Sequence, residues 1–175
     1  MINIFLAPVS SGELLSNYEK SVEEGIETSQ LPQNISKEIK ENVTSLWGIR
    51  DAKKSTFLKI KQDDVVAFYK EGMIISYGIV QTTFIDLEFA KKLWGTFVKK
   101  SSGEIYFWPN IIVFKEVGLC RISFSDFRKF GDYNDKFSVR GLIMLNQKGN
   151  QEIIERYGSL DNFFYQFQVL KQMPE

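Results

Sequence analysis

Residues 64–83, DVVAFYKEGMIISYGIVQTT, consist of two runs of β-branched and aromatic residues joined by Glu71-Gly72. Residues of these types favour strands, and a glycine in a two-residue connection permits the positive φ of a tight turn. The stretch therefore predicts a β-hairpin with strands over 64–70 and 73–83.

Strands and helices are predicted on both sides of this hairpin. The apolar run 2–6 predicts a first strand, and apolar residues at three- and four-residue spacing predict helices over 11–26 and, capped by Ser36, over 37–43. Asp86 is placed to cap a helix that ends at Trp94. Downstream we predict strands within 104–117, 119–124 and 137–145 and helices over 151–157 and 160–170, with Pro109 at a turn or bulge. This order indicates an α+β fold in which about six mostly antiparallel strands form a small barrel or strongly curved sheet flanked by helices.

Composition bounds the function. The 175 residues are 43% hydrophobic, which is typical of one globular domain spanning 1–175. The chain has no histidine, no glycine-rich phosphate loop and one cysteine, Cys120, which we expect to be a small buried residue. The acidic pair Asp63-Asp64 is interpreted as a turn that places both carboxylates in water, rather than as a catalytic or metal-binding pair. We therefore expect no catalytic site, no metal and no cofactor.

The sequence offers neither a membrane-spanning run nor a signal peptide. We expect a cytoplasmic protein without membrane contact.

Charge is neutral in sum but uneven along the chain, with 22 bases and 22 acids. Five acids accompany one lysine in 13–27, whereas 50–61 has five bases and one acid, and 89–103 has four lysines and no acid. The basic segments lie beside Trp47 and Trp94, which suggests a surface for nucleic acid; ordinary solvated faces are the alternative. The candidate phosphate contacts are Lys53, Lys54, Lys91, Lys92, Lys99 and Lys100.

Tryptophans beside bases can stack on a nucleobase, although any one of Trp47, Trp94 and Trp108 can equally be a core residue. Gly48, which follows Trp47, leaves room for a ligand to approach the backbone or marks a β-bulge.

A family resemblance rests on motifs within 46–117. They are Trp47-Gly-Ile-Arg50, KQDDVVAFY at 61–69, YGIV at 77–80, Leu93-Trp94, YFWP at 106–109 and IIVF at 111–114. This pattern resembles the PUA-like superfamily, in particular its EVE and YTH branches, and is most similar to the N-terminal modules of archaeal McrB-type modification-dependent restriction GTPases. Asp63 stands where many relatives have glycine, and Trp108 separates the aromatic pair from Pro109.

The resemblance implies a small β-barrel with flanking helices at 11–43 and 151–170, and an aromatic pocket that accepts a flipped, modified base. Trp47 would form the first wall of this pocket, Gly48 and Ile49 would contact the base edge through their backbone, and Arg50 would lie at the rim. Tyr69 would line the pocket, and the second wall would be Trp94 or, as second choice, Trp108.

Three functions follow as hypotheses. The first is a DNA-binding module of a modification-dependent restriction system, working with an AAA+ GTPase motor and a nuclease subunit. Because the GTPase motifs are absent from 1–175, we expect a truncated chain or a separate module. The second is a PUA-like domain that binds structured or modified RNA, and the third is a protein-interaction domain whose tryptophans belong to the core.

Overall fold

The computed structural model describes residues 2–9 and 12–169. The strands are β1 (Ile4–Pro8), β2 (Ile26–Glu27), β3 (Val43–Ile49), β4 (Val65–Lys70), β5 (Met73–Ile85), β6 (Phe97–Val98), β7 (Ile105–Tyr106), β8 (Asn110–Ser123) and β9 (Ile143–Met144). The α-helices are α1 (Glu13–Tyr18), α2 (Gln33–Ser36), α3 (Lys54–Phe57), α4 (Leu87–Trp94), α5 (Phe124–Phe127), α6 (Gln147–Tyr157) and α7 (Leu160–Gln166). A π-helical turn, Glu19–Glu23, continues α1. No helix in the described part of the chain is long and apolar enough to cross a membrane.

Seven strands form one sheet in the order β2-β3-β8-β5-β4-β1-β9, and β6 pairs with β7 alone. Strand β1 runs parallel to β4, whereas β3 with β8 and β4 with β5 are antiparallel. The α+β class and the mostly antiparallel pairing are as predicted. The described strands, however, form an open order of seven with β2 and β9 at its ends, where a small barrel or strongly curved sheet of about six strands was expected; no closed barrel is formed among them.

The chain divides into two compact units. The first unit comprises 1–10, 63–79 and 116–175, and the second comprises 11–62 and 80–115. Strands β5 and β8 each contribute residues to both units.

The central hairpin of the first unit is as predicted. Val65 pairs with Ile79 and Lys70 with Met73, and both turn residues, Glu71 and Gly72, have positive φ. Phe163 and Phe164 of α7 are fully buried in the core of this unit, as expected of an aromatic-rich terminal helix.

Cys120 is 2% exposed in the core of the first unit. Burial raises the pKa of its thiol to about 12, so the side chain stays a neutral thiol near pH 7. The expectation of a small buried residue is confirmed.

Helix α4 of the second unit also forms as predicted, because the Asp86 carboxylate accepts a hydrogen bond of 2.9 Å from the backbone N–H of Phe89. Ala90 of this helix is buried against Leu46, Ile111 and Val113 of the sheet. The cap fixes where the helix begins, and Gly95, whose φ is 73°, follows its last residue, Trp94.

Four predicted elements differ in the structure. The helix expected over 37–43 is instead α2, because Pro32, whose φ is already helical, starts the helix early and β-branched Val43 begins β3. The strands expected at 104–117 and 119–124 become the short β7 and one continuous β8, in which Gly118 lies against the ring of Tyr77. Only Ile143–Met144 of 137–145 is a strand. Residues 11 and 170, at the limits of the predicted terminal helices, lie outside the described residues.

Of the acidic pair before β4, only Asp63 has the backbone conformation of a turn. Asp63 has a φ of 71°, but Asp64 is 1% exposed, and its carboxylate accepts hydrogen bonds from the backbone and side-chain amides of Asn3, at 2.8 and 3.4 Å. The interpretation that both carboxylates face water is wrong for Asp64, which secures the chain just before β1.

We predict that Asp64→Ala lowers the free energy of unfolding by about 1–3 kcal/mol, because it leaves a backbone N–H without its acceptor. Asp63→Asn is the matched control, since Asn tolerates positive φ and keeps a side-chain acceptor at this position, and we expect it to change stability less than Asp64→Ala does. Urea unfolding followed by circular dichroism measures both; equal effects would contradict the assignment.

Candidate functional site

Three tryptophans that are far apart in the sequence meet in the second unit. Trp47 lies in β3, Trp94 is the last residue of α4, and Trp108 lies two residues before β8. Together with Gly48, Leu14 and Asn17 they line one cleft, called the tryptophan cleft below. The sequence predicted Trp47 and Gly48 with either Trp94 or Trp108; the structure brings all four together.

Gly48 permits this packing because it has no side chain. A Cβ atom built on Gly48 would lie 2.5 Å from Cζ3 of Trp94 and 2.6 Å from Cβ of Trp108, well inside van der Waals contact. The pairing of β3 with β8 continues in register through Gly48 and Ile111, so the glycine does not mark a bulge. The space beside the backbone of Gly48, which the sequence suggested for a ligand, is occupied by the side chains of Trp94 and Trp108.

The tryptophan cleft is closed in this structure. Trp47 and Trp108 are 4% and 6% exposed, Trp94 is half-buried, and the space between them does not admit a water-sized sphere. The open aromatic pocket expected from the resemblance is therefore not formed in this conformation.

The N-terminal helical segment closes one side of the cleft, and sequence reasoning missed this role. The ring of Tyr18 packs edge-on against Trp47, with 6.2 Å between ring centroids. The hydroxyl of Ser21 in the π-helical turn accepts a hydrogen bond of 3.2 Å from Nε1 of Trp94. The ammonium of Lys20 donates to the carbonyl of Leu93 at 3.0 Å. The available signal was Ser21 at helical spacing from Tyr18, and only the structure shows that it is fully buried.

This segment also carries the acidic residues that the sequence analysis set apart from the basic ones. Glu19, Glu23 and Glu24 are exposed on the segment that contacts Trp47 and Trp94. The acids and the cleft thus share one unit, and the field at the cleft is mixed rather than uniformly positive.

Ile49 and Arg50 have roles within the protein. Ile49 is buried, and its carbonyl accepts a hydrogen bond of 3.1 Å from Nδ2 of Asn110, so that backbone oxygen is already engaged. Arg50 is exposed, with its guanidinium 3.6 Å from the ring centroid of Tyr106. The Tyr106 hydroxyl donates to Glu104 at 2.5 Å, and this hydrogen bond raises the pKa of Tyr106.

All six candidate lysines lie in the second unit with the tryptophans. Lys91 pairs with Glu88 at 3.0 Å and lies 5.2 Å from the ring centroid of Phe107. Lys53 is half-buried. The exposed members are Lys54, Lys92, Lys99 and Lys100.

Tyr69 is not brought to the tryptophan cleft. It belongs to the first unit, where its half-buried ring lies 4.7 Å from that of Phe124. The motif that suggested Tyr69 places it on β4 among residues of the first core.

The first unit has a larger groove, of about 850 Å³, between α5, α6 and α7. Its lining contains four phenylalanines, Ile122 and Tyr157, together with basic and acidic side chains. None of the predicted site residues lies there. The described residues include no cluster of three or more side chains able to bind a metal ion.

No protein-family model matches the chain, and no curated protein matches it either. Among solved structures, the N-terminal domain of Thermococcus gammatolerans McrB bound to m5C DNA is similar, with a TM-score of 0.64 at 16% identity over 88% of this chain and 96% of that one. Two variants of the Zymomonas mobilis protein ZmASCH have TM-scores of 0.45 and 0.42, both at 9% identity over 86% of this chain and 96% and 95% of theirs. The first similarity shows that this chain shares the fold of the McrB domain.

We predict that Gly48→Ala destabilises the second unit by about 1–3 kcal/mol or more, because the new methyl group overlaps Trp94 and Trp108. Thermal unfolding monitored by tryptophan fluorescence measures the effect. In a Trp94→Ala background the same substitution should destabilise less, since one of the two overlaps is gone. Strictly additive effects would contradict the packing described.

Proposed function

We propose that this chain is a DNA-recognition domain that binds duplex DNA containing a modified base and has no catalytic activity of its own. The observation that carries the proposal is the convergence of Trp47, Trp94 and Trp108 at Gly48, in a unit that also holds the two lysine-rich segments. The fold shared with a domain solved in complex with m5C DNA supports the same function. The absence of histidine supports a role in recognition rather than hydrolysis.

The base-binding site is the tryptophan cleft, and Trp94 is its movable wall. Trp47 and Trp108 are buried, whereas Trp94 is half-buried at the end of α4 and precedes Gly95, whose φ is 73°. Displacing the Trp94 ring breaks its hydrogen bond to Ser21 and opens space beside Gly48. A flipped base then enters this space and stacks between the displaced Trp94 ring and Trp47 or Trp108, and stacking offsets the few kcal/mol needed to unstack it from the duplex.

Phosphate contacts come from exposed lysines in the same unit as the cleft. Lys92 lies on α4, two residues before Trp94, and Lys99 and Lys100 follow β6. Lysines near phosphates release condensed counterions, which gives affinity without sequence preference, while the cleft supplies selectivity for the modified base.

The proposal extends to the protein's context. Residues 1–175 act as one PUA-like domain of the EVE and YTH type, within a cytoplasmic restriction system whose AAA+ GTPase motor and nuclease belong to other domains or subunits. The domain selects the DNA, and the motor and nuclease perform the chemistry.

We predict that Trp94→Ala abolishes the preference for modified over unmodified duplex, with a loss of about 1–3 kcal/mol, or roughly 5- to 150-fold, on the modified one. Fluorescence anisotropy with duplexes containing 5-methylcytosine, N6-methyladenine or neither measures this. Phe89→Ala is the matched control, because Phe89 is a half-buried aromatic residue of the same helix that does not line the cleft. A parent protein that binds RNA more tightly than any of these duplexes would refute the choice of DNA.

A second prediction concerns salt. Replacing Lys99 and Lys100 by glutamine should reduce the slope of log affinity against log salt by about two, since each phosphate contact contributes about 0.9. Modified and unmodified duplexes should lose affinity equally, because phosphate contacts do not distinguish bases. Lys37→Gln with Lys40→Gln is the control, as both lysines are exposed in the second unit outside the predicted contacts. An unchanged slope in the Lys99 and Lys100 variant would rule out these contacts.

A further inference from the structure

A small hairpin is inserted between two walls of the tryptophan cleft. Strands β6 and β7 pair Phe97 with Tyr106 and Val98 with Ile105. Phe97 follows Trp94 by three residues, and Tyr106 precedes Trp108 by two. Each strand of the hairpin is therefore joined to a tryptophan of the cleft, and nothing in the proposed function uses the hairpin's apolar residues.

The two faces of the hairpin differ in what covers them. On one face the rings of Phe97 and Tyr106 stack with 6.0 Å between centroids, and the Arg50 guanidinium lies over Tyr106. On the other face Val98 and Ile105 are 51% and 56% exposed. Directly opposed residues of an antiparallel pair share a face, so these two side chains form one continuous apolar ridge.

The tip of the hairpin is positively charged and held by its own hydrogen bonds. The Lys99 N–H donates to the carbonyl of Glu104, and the Gly103 N–H donates to the carbonyl of Lys99, each at 2.8 Å. Lys99 and Lys100 are exposed, whereas the only carboxylate of the hairpin, that of Glu104, accepts the Tyr106 hydroxyl. An apolar ridge with lysines at its tip is complementary to a base stack edged by phosphates.

We propose that this hairpin enters the base stack of duplex DNA beside the modified base. Val98 and Ile105 occupy the space that the flipped base vacates, and Lys99 and Lys100 contact the flanking phosphates. Apolar side chains used as wedges lower the free energy of an unstacked step, and each two-residue strand extends the hairpin by about 7 Å. The inference rests on the proposed function, because a wedge is needed only where a base leaves the stack.

The test replaces both ridge residues by serine, Val98→Ser with Ile105→Ser. The control, Val43→Ser with Leu58→Ser, removes two aliphatic residues that are 55% and 65% exposed in the same unit but outside the hairpin. Anisotropy compares a duplex with one central 5-methylcytosine or N6-methyladenine with the corresponding single strand, and 2-aminopurine beside the modified base reports unstacking. Circular dichroism confirms that each variant is folded.

We expect the ridge variant to bind modified duplex roughly tenfold more weakly and to lose the 2-aminopurine signal, because the opened step is no longer filled. Its affinity for the modified single strand, where no stack has to open, should stay within about twofold of the parent. Parallel losses on duplex and single strand would overturn the wedge, as would self-association of the parent that the ridge variant abolishes.

The outcome also separates the two proposals. If the parent prefers modified duplex and the ridge variant behaves like the control, the wedge is wrong and the proposed function stands. If the parent shows no affinity for duplex DNA, both are overturned.

Discussion

The second unit depends on the close contact between the backbone of Gly48 and the side chains of Trp94 and Trp108. Any side chain at position 48 would overlap both, so the glycine fixes how near helix α4 and the segment before β8 approach strand β3. Asp86 determines where α4 begins, and the register of β3 with β8 determines where Gly48 lies along the sheet. Together they place the tryptophans next to one another. The candidate site is thus a product of core packing, which is why its walls are largely buried.

Local chemistry explains which elements could be predicted. The hairpin of β4 and β5 and the cap at Asp86 were correct because short-range rules, turn residues and side-chain capping, determine them. The helix over 37–43 failed because Pro32 starts the helix earlier, and Asp64 was misjudged because its partner, Asn3, is distant in the sequence. The barrel was expected from the order of the predicted strands and from the resemblance, whereas the observed strand order follows from long-range pairings that spacing does not reveal.

The candidate site, too, was predicted where local motifs determine it and missed where residues distant in the sequence determine it. The pairing of Trp47 with Gly48, and the choice of Trp94 and Trp108 as possible walls, could be inferred from the motifs. Closure of the cleft could not, because it depends on Tyr18 and Ser21 from a segment that the charge pattern had set apart. Tyr69 illustrates the opposite error, since its motif at 61–69 is the next one after that of Trp47 along the chain but its side chain belongs to the other unit.

Because of the π-helical turn at Glu19–Glu23, closure of the cleft depends on the number of residues in the N-terminal segment. A π turn holds roughly one residue more than an α turn, and one residue corresponds to about 100° of rotation around a helix. A chain shorter by one residue here would continue as a regular α-helix and turn the Ser21 hydroxyl away from the Trp94 indole, with every tryptophan unchanged. The resting state of the cleft can therefore be altered by a single insertion or deletion in the N-terminal segment, independently of the residues that would contact a base.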